Sequence, residues 1–188
     1  MRGVVLVVAV ALAGCLLPDP PAPPRYFTPS AAAGEAARPP VAVRLGFVRS
    51  PLHLREAMTW RRSDVEYGFY EQRRWTELPA TYVERALVRE LFAADEPIAT
   101  APEAPLLSAE LRAFEEVLSP AHQARVALAV ELADAKCVRL RRTFEASRPL
   151  DGDDAAAVAH GIGEALDEVV RSTGDAVRAA LATRGRCR

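Results

Sequence analysis

The sequence predicts an α+β domain in which two helices cover a mainly antiparallel sheet, placed after a signal peptide and a proline-rich tether. Three observations lead there. Apolar and polar residues alternate over 41–48 and 123–132, the period of strands with one buried face. Apolar residues recur every three or four positions over about 79–93 and 153–183, the period of amphipathic helices. The order strands, helix, strands, helix suits helices layered on one face of an antiparallel sheet. The chain divides into residues 1–14 as signal peptide, 15–40 as lipidated cysteine and tether, and 41–184 as one domain.

At the N-terminus, Arg2 supplies a positive charge, residues 4–12 are apolar and uncharged, and Leu12, Ala13, Gly14 and Cys15 form the small-small-Cys pattern of a lipobox. Cleavage is expected after Gly14, leaving Cys15 with a diacylglyceryl thioether and an N-acyl chain. The same residues also fit an ordinary secretory signal with a chance cysteine, or a membrane helix running to Leu17. The apolar run is shorter than the roughly 20 residues of a spanning helix. Each buried acyl methylene contributes about 0.8 kcal/mol, so two or three chains anchor stably where one would not. Leu16 and Leu17, with no aspartate after Cys15, favour the periplasmic face of the outer membrane over the inner membrane. Pro20, Pro21, Pro23, Pro24, Pro29 and Pro39 make an extended tether, at about 3.1 Å per residue in polyproline geometry. Tyr26 and Phe27 interrupt it and read as a first strand contact.

Val41, Val43, Leu45 and Phe47 share one face of a first strand. Segments 57–62 and 65–70 form a hairpin with Ser63 and Asp64 at its turn. The helix at 79–93 carries Tyr82, Val83, Ala86, Leu87 and Leu91 on one stripe. After a proline-interrupted stretch at 95–105 come strands at 106–118, 123–132 and 136–145, the last two joined antiparallel through Asp134 and Ala135. The final helix, 153–183, follows Asp151, Asp153 and Asp154, which are read as its N-cap cluster.

Net charge is -1, from 24 basic and 25 acidic residues, so no bulk field points to nucleic acid. His53, His122 and His160 are too scattered for a metal site and are expected at the surface. No Glu closes a calcium loop after Asp151, and no phosphate-binding Lys follows Gly161 and Gly163, which are assigned to close helix-to-sheet packing. No catalytic residue, metal site or cofactor is therefore expected beyond the acyl groups on Cys15. Cys137 and Cys187 either pair in an oxidising periplasm or remain a buried thiol and a tail thiol. Trp60, Arg61, Tyr67, Tyr70, Arg74 and Trp75 form a candidate partner-binding patch, arginine with aromatics being an interface composition. An equal alternative places the aromatics in the core.

The lipobox, the tether, the 41–48 strand, the stretch from Trp60-Arg61-Arg62 to Trp75, the later strands and the long Ala-rich helix together resemble the ABC-type transport auxiliary lipoproteins. The resemblance is nearest to the lipoprotein partners of MCE-domain lipid transport systems of the paraquat-inducible type, matched by Leu54, Arg61, Tyr67, Tyr70, Arg74 and Trp75. Segment 52–60 departs by carrying arginine and glutamate, which leaves the pairing of the second strand open. The resemblance implies a non-catalytic accessory subunit, with an MCE-domain protein and an ABC permease and ATPase as partners. Lipid is the implied cargo and envelope integrity the implied role. A lipid-anchored outer-membrane assembly or structural factor is the alternative, and a homo-oligomer stays open.

Overall fold

In a computed structural model of the chain, the described residues are 22–30, 39–92 and 102–183. The signal peptide, the Gly14 cleavage position, the lipidation site Cys15 and the tail cysteine Cys187 lie outside them. The described residues form, in order, β1 (Arg25–Phe27), β2 (Arg44–Arg49), β3 (Ala57–Arg61), β4 (Tyr67–Trp75), α1 (Pro79–Phe92), β5 (Leu106–Val117), β6 (Gln123–Ala133), β7 (Val138–Pro149) and α2 (Ala155–Ala182).

The α+β class holds, with one seven-stranded sheet in the order β1-β4-β3-β5-β6-β7 and β2 also paired to β5. The pairing is mixed. The long β5–β6 and β6–β7 ladders and the β3–β4 hairpin are antiparallel, whereas β1–β4, β2–β5 and β3–β5 are parallel. Alternation along a strand marks its buried face and carries no information about the direction of its neighbour, so these parallel contacts escaped the sequence reading. β2 lies along Leu106–Glu110 of β5 and β3 along Glu115–Val117, two short strands sharing one long edge.

The first strand starts later than position 41: Val41 donates its amide to Leu91 in α1, and the ladder begins at Arg44. A register shift between Leu45 and Val48 breaks the alternation, and Phe47 is exposed rather than buried beside Leu45. The expected contact at Tyr26 and Phe27 is present as β1, inside the stretch assigned to the tether. It pairs with Arg73–Trp75, and Thr28 bonds Thr76 hydroxyl to hydroxyl at 2.9 Å.

Both helices pack on one sheet face. Trp75, Tyr82 and Phe114 form an aromatic cluster there, with Trp75 and Phe114 centroids 5.2 Å apart and Tyr82 stacked on Phe114. Burying each such ring contributes about 1.5–3 kcal/mol by area, with a further ~1 kcal/mol for ring geometry. α2 buries Val158, Ile162, Leu166, Val169 and Val177 as its spacing predicts. Gly161 meets the sheet side, where a Cβ would come within 2.9 Å of Ala124. Gly163 instead lets the backbone of Ser30 cross the helix.

The ends of the elements follow the sequence unevenly. Asp154 occupies the N-cap of α2 in extended conformation, yet its side chain makes no capping hydrogen bond, so the acidic cluster acts there only through charge. At the β6–β7 turn, Asp134 accepts the amides of Lys136 and Cys137 and pairs with Arg139. The Lys136 amide first, then Arg139 and the Cys137 amide, hold its carboxyl below the usual range. Cys137 is disulfide-bonded, and the chain's other two cysteines both lie outside the described residues.

Candidate functional site

Two consecutive glutamates organise the β3–β4–β5 region. Successive strand residues point to opposite faces, so Glu115 and Glu116 of β5 send one carboxylate to each side of the sheet. Both are almost fully buried, at 1% exposure. A buried carboxylate needs compensation by charge and hydrogen bonds, and neighbouring strands supply both.

On the helix side, Glu116 accepts the Tyr70 hydroxyl at 2.8 Å and meets His122 Nε2 at 2.6 Å, with the Arg73 guanidinium 3.8 Å away. Arg73 also lies over the Tyr70 ring at 4.3 Å. Burial first, and the bond to Glu116 second, push the Tyr70 hydroxyl up to about 12. A tyrosine serving as base or nucleophile needs the opposite shift, so Tyr70 here locks a carboxylate in place as a donor.

On the opposite face, Arg61 donates Nε to Glu115 at 2.7 Å, and Arg125 approaches Glu115 at 3.7 Å and Glu145 at 3.5 Å. The bond to Glu115 raises the Arg61 guanidinium above its ordinary value, with burial opposing. Among the described residues no helix covers this face. Arg141 pairs with Glu131 at 2.6 Å and Arg49 with Glu110 at 3.4 Å, continuing a lattice of alternating charge across the open sheet. At its β4 end the lattice gives way to aromatics, Tyr67 lying 6.0 Å from Phe69 and 5.1 Å from His53.

The residues of the sequence-derived patch therefore separate. Trp75 is 2% exposed and belongs to the core. Trp60 and Tyr70 take the helix side, Trp60 with its indole over Gly68 and beneath the Arg62 guanidinium. Arg61, Tyr67 and Arg74 occupy the open face. The cause is a register shift between Ala57 and Thr59 against β4, which reverses the facing of Arg73, Arg74 and Trp75 relative to Tyr67 and Phe69. His122 was expected as a plain surface residue; its Glu116 partner makes it part of a buried network. Glu115 and Glu116 were missed altogether, although the adjacent acids inside the apolar run 106–117 were a visible signal. Among the described residues no cluster of His, Cys, Asp or Glu could hold a metal ion, and no helix is long and apolar enough to cross a membrane.

A sequence profile described as the ABC-type transport auxiliary lipoprotein component matches residues 27–173. The chain belongs to that family. Membership makes it an auxiliary component of ABC-type transport and, as a lipoprotein, membrane-anchored. The crystal structure of a Xanthomonas campestris protein of the DUF330 family is similar to this auxiliary lipoprotein, with a TM-score of 0.69 at 22% identity, covering 85% of this chain and 100% of that one. A second crystal structure, of an uncharacterized protein, aligns with a TM-score of 0.65 at 12% identity, covering 83% of this chain and 99% of the other. At these identities the likeness is one of fold. No curated protein matches the sequence. The matched span begins at Phe27, the last residue of β1.

Proposed function

We propose that this auxiliary lipoprotein is a non-catalytic subunit that binds an MCE-domain protein of an ABC-type system in lipid trafficking across the periplasm. It does so anchored through Cys15 at the periplasmic face of the outer membrane. Its permease and ATPase belong to other chains, and it needs no cofactor beyond its acyl groups. The observation that carries this reading is the asymmetry of the sheet. One face is sealed by α1 and α2, while the other presents paired charges around Arg61, Arg125 and Arg141 with Tyr67 exposed at the margin. A rim of paired charges beside an exposed aromatic suits specific docking, because complementary charge sets register while the ring supplies buried area.

Capture of the lipidated full-length chain with a co-expressed MCE-domain protein tests it. Wild-type protein is expected to retain the partner, and Tyr67→Ser combined with Arg141→Glu is expected to weaken retention roughly tenfold or more. Equal retention by the variant removes the open face as the docking surface, and failure of the wild-type chain to retain the partner overturns the assignment.

A further inference from the structure

Large apolar side chains that stay exposed are unevenly placed among the described residues. Phe47 on β2 and Val65 in the β3–β4 turn stand apart, whereas Tyr26, Leu52, Tyr67, Phe69 and Leu78 collect at the β1–β4 end of the open face. Leu52, Phe69 and Leu78 line a shallow groove of about 350 Å³ together with His53, Arg55 and Arg74. Tyr26 on β1 is the register partner of Arg74 and so stands at the groove's rim. A contiguous exposed apolar patch with a polar rim marks a surface made to meet something else.

The position of β1 says what that is. Only residues 16–24 separate Cys15 from Arg25. Even fully extended, nine residues reach about 30 Å. A tether free as far as residue 40 would reach about 80 Å in polyproline geometry. Because β1 is bonded to β4, an acyl chain on Cys15 brings this edge of the sheet to the bilayer and keeps the groove beside it. The groove's chemistry matches that neighbour: aromatic rings settle at headgroup depth, leucines reach the acyl boundary, and two guanidinium groups, Arg55 and Arg74, stand against the one carboxylate of the lining, Glu56, which lies 3.9 Å from Arg74, so positive charge is left over for lipid phosphate.

We propose that the groove formed by Leu52, Phe69 and Leu78, rimmed by Tyr26, Arg55 and Arg74, rests on the leaflet that holds the Cys15 lipid. The Cys15 lipid, at most nine residues from β1, and the groove act as two points of attachment, which orients the domain and leaves the Arg61–Arg125–Arg141 region of the open face turned outward. This rests on lipidation at Cys15.

The test uses the full-length lipidated chain on vesicles of phosphatidylethanolamine and phosphatidylglycerol containing brominated phosphatidylcholine. A tryptophan is introduced by Leu78→Trp in the groove or by Ala135→Trp at the β6–β7 turn. The signal is read as the difference from the parent chain, whose Trp60 and Trp75 lie on the helix side and in the core. Quenching of the Leu78→Trp chain is expected to exceed that of the Ala135→Trp chain by roughly twofold or more. A chain that floats with the vesicles yet shows equal or no quenching at the two positions overturns the groove contact and leaves the anchor standing. A chain that neither floats nor carries acyl groups by intact mass overturns the anchor, and with it the placement of the groove. If Leu78→Trp emission instead shifts only when an MCE-domain protein is added, the groove takes protein and the lipid assignment falls.

Discussion

Gly163 of α2 lies directly beneath the backbone carbonyl of Ser30, so the N-terminal segment crosses the helix at a position where a Cβ would occupy the space of that carbonyl. The crossing is fastened by the Ser30 amide to the Ala159 carbonyl at 3.4 Å and the Thr76 amide to the Phe27 carbonyl at 3.0 Å. Gly163→Ala gains about 1 kcal/mol of helix propensity but forces an overpacking cost of about 1–3 kcal/mol. The segment is held by few bonds, so it is expected to lift away while the helix stays intact. Amide exchange at Thr76 and proteolysis across 22–30 should both accelerate, with net destabilisation of about 1–2 kcal/mol. Unchanged protection at Thr76 would falsify the crossing.

Arg61 and Arg62 are sequence neighbours with unequal duties. Arg61 compensates a Glu115 carboxylate that has no exposure, whereas the Arg62–Glu66 pair is solvated on both sides. Arg61→Met should cost about 2–4 kcal/mol, moderated because Arg125 remains near Glu115, while Arg62→Met should cost less than about 1 kcal/mol. Urea denaturation of the two variants compares them directly, and similar midpoints would contradict the burial of Glu115.

Tyr70 predicts an alkaline limit. Its hydroxyl is raised from 10.0 to about 12 in the folded chain, so folding retains the proton. That contribution is complete below pH 10 and declines as pH rises from 10 to about 12, where the folded form also ionises. Tyr70→Phe should flatten this part of the stability profile. A variant that keeps the wild-type alkaline slope would assign the slope to another group.

Trp75→Ala should act through stability. The indole is 2% exposed and packs on Tyr82 and Phe114, so truncation leaves a large cavity costing about 3–5 kcal/mol. Thermal unfolding should show the loss whether or not a partner is present. A folded variant of wild-type stability that fails only in partner capture would return Trp75 to the surface.

The helices were legible because a buried stripe repeats within the element itself: Tyr82, Val83, Leu87 and Leu91 declare α1 without reference to any other segment. The β6–β7 hairpin was legible for the same reason, since its turn and alternation are local. The candidate site was far less so. Glu115 and Glu116 are hidden by Arg61, Arg125, Tyr70 and His122, contributed by β3, β6, β4 and the β5–β6 connection. The patch around Trp60 to Trp75 read as one surface because a register shift of β3 against β4 has no local signature, and that shift decides which of those side chains face solvent.

From the sequence alone came the class of the fold, the extent of both helices and the long strands, each written in patterns spanning a few residues. Tertiary structure alone decided the parallel contacts of β1, β2 and β3, the burial of adjacent carboxylates on opposite faces, and the gathering of Leu52, Phe69 and Leu78 beside β1. Pairing direction and burial depend on what lies across the sheet, and no segment carries that information by itself.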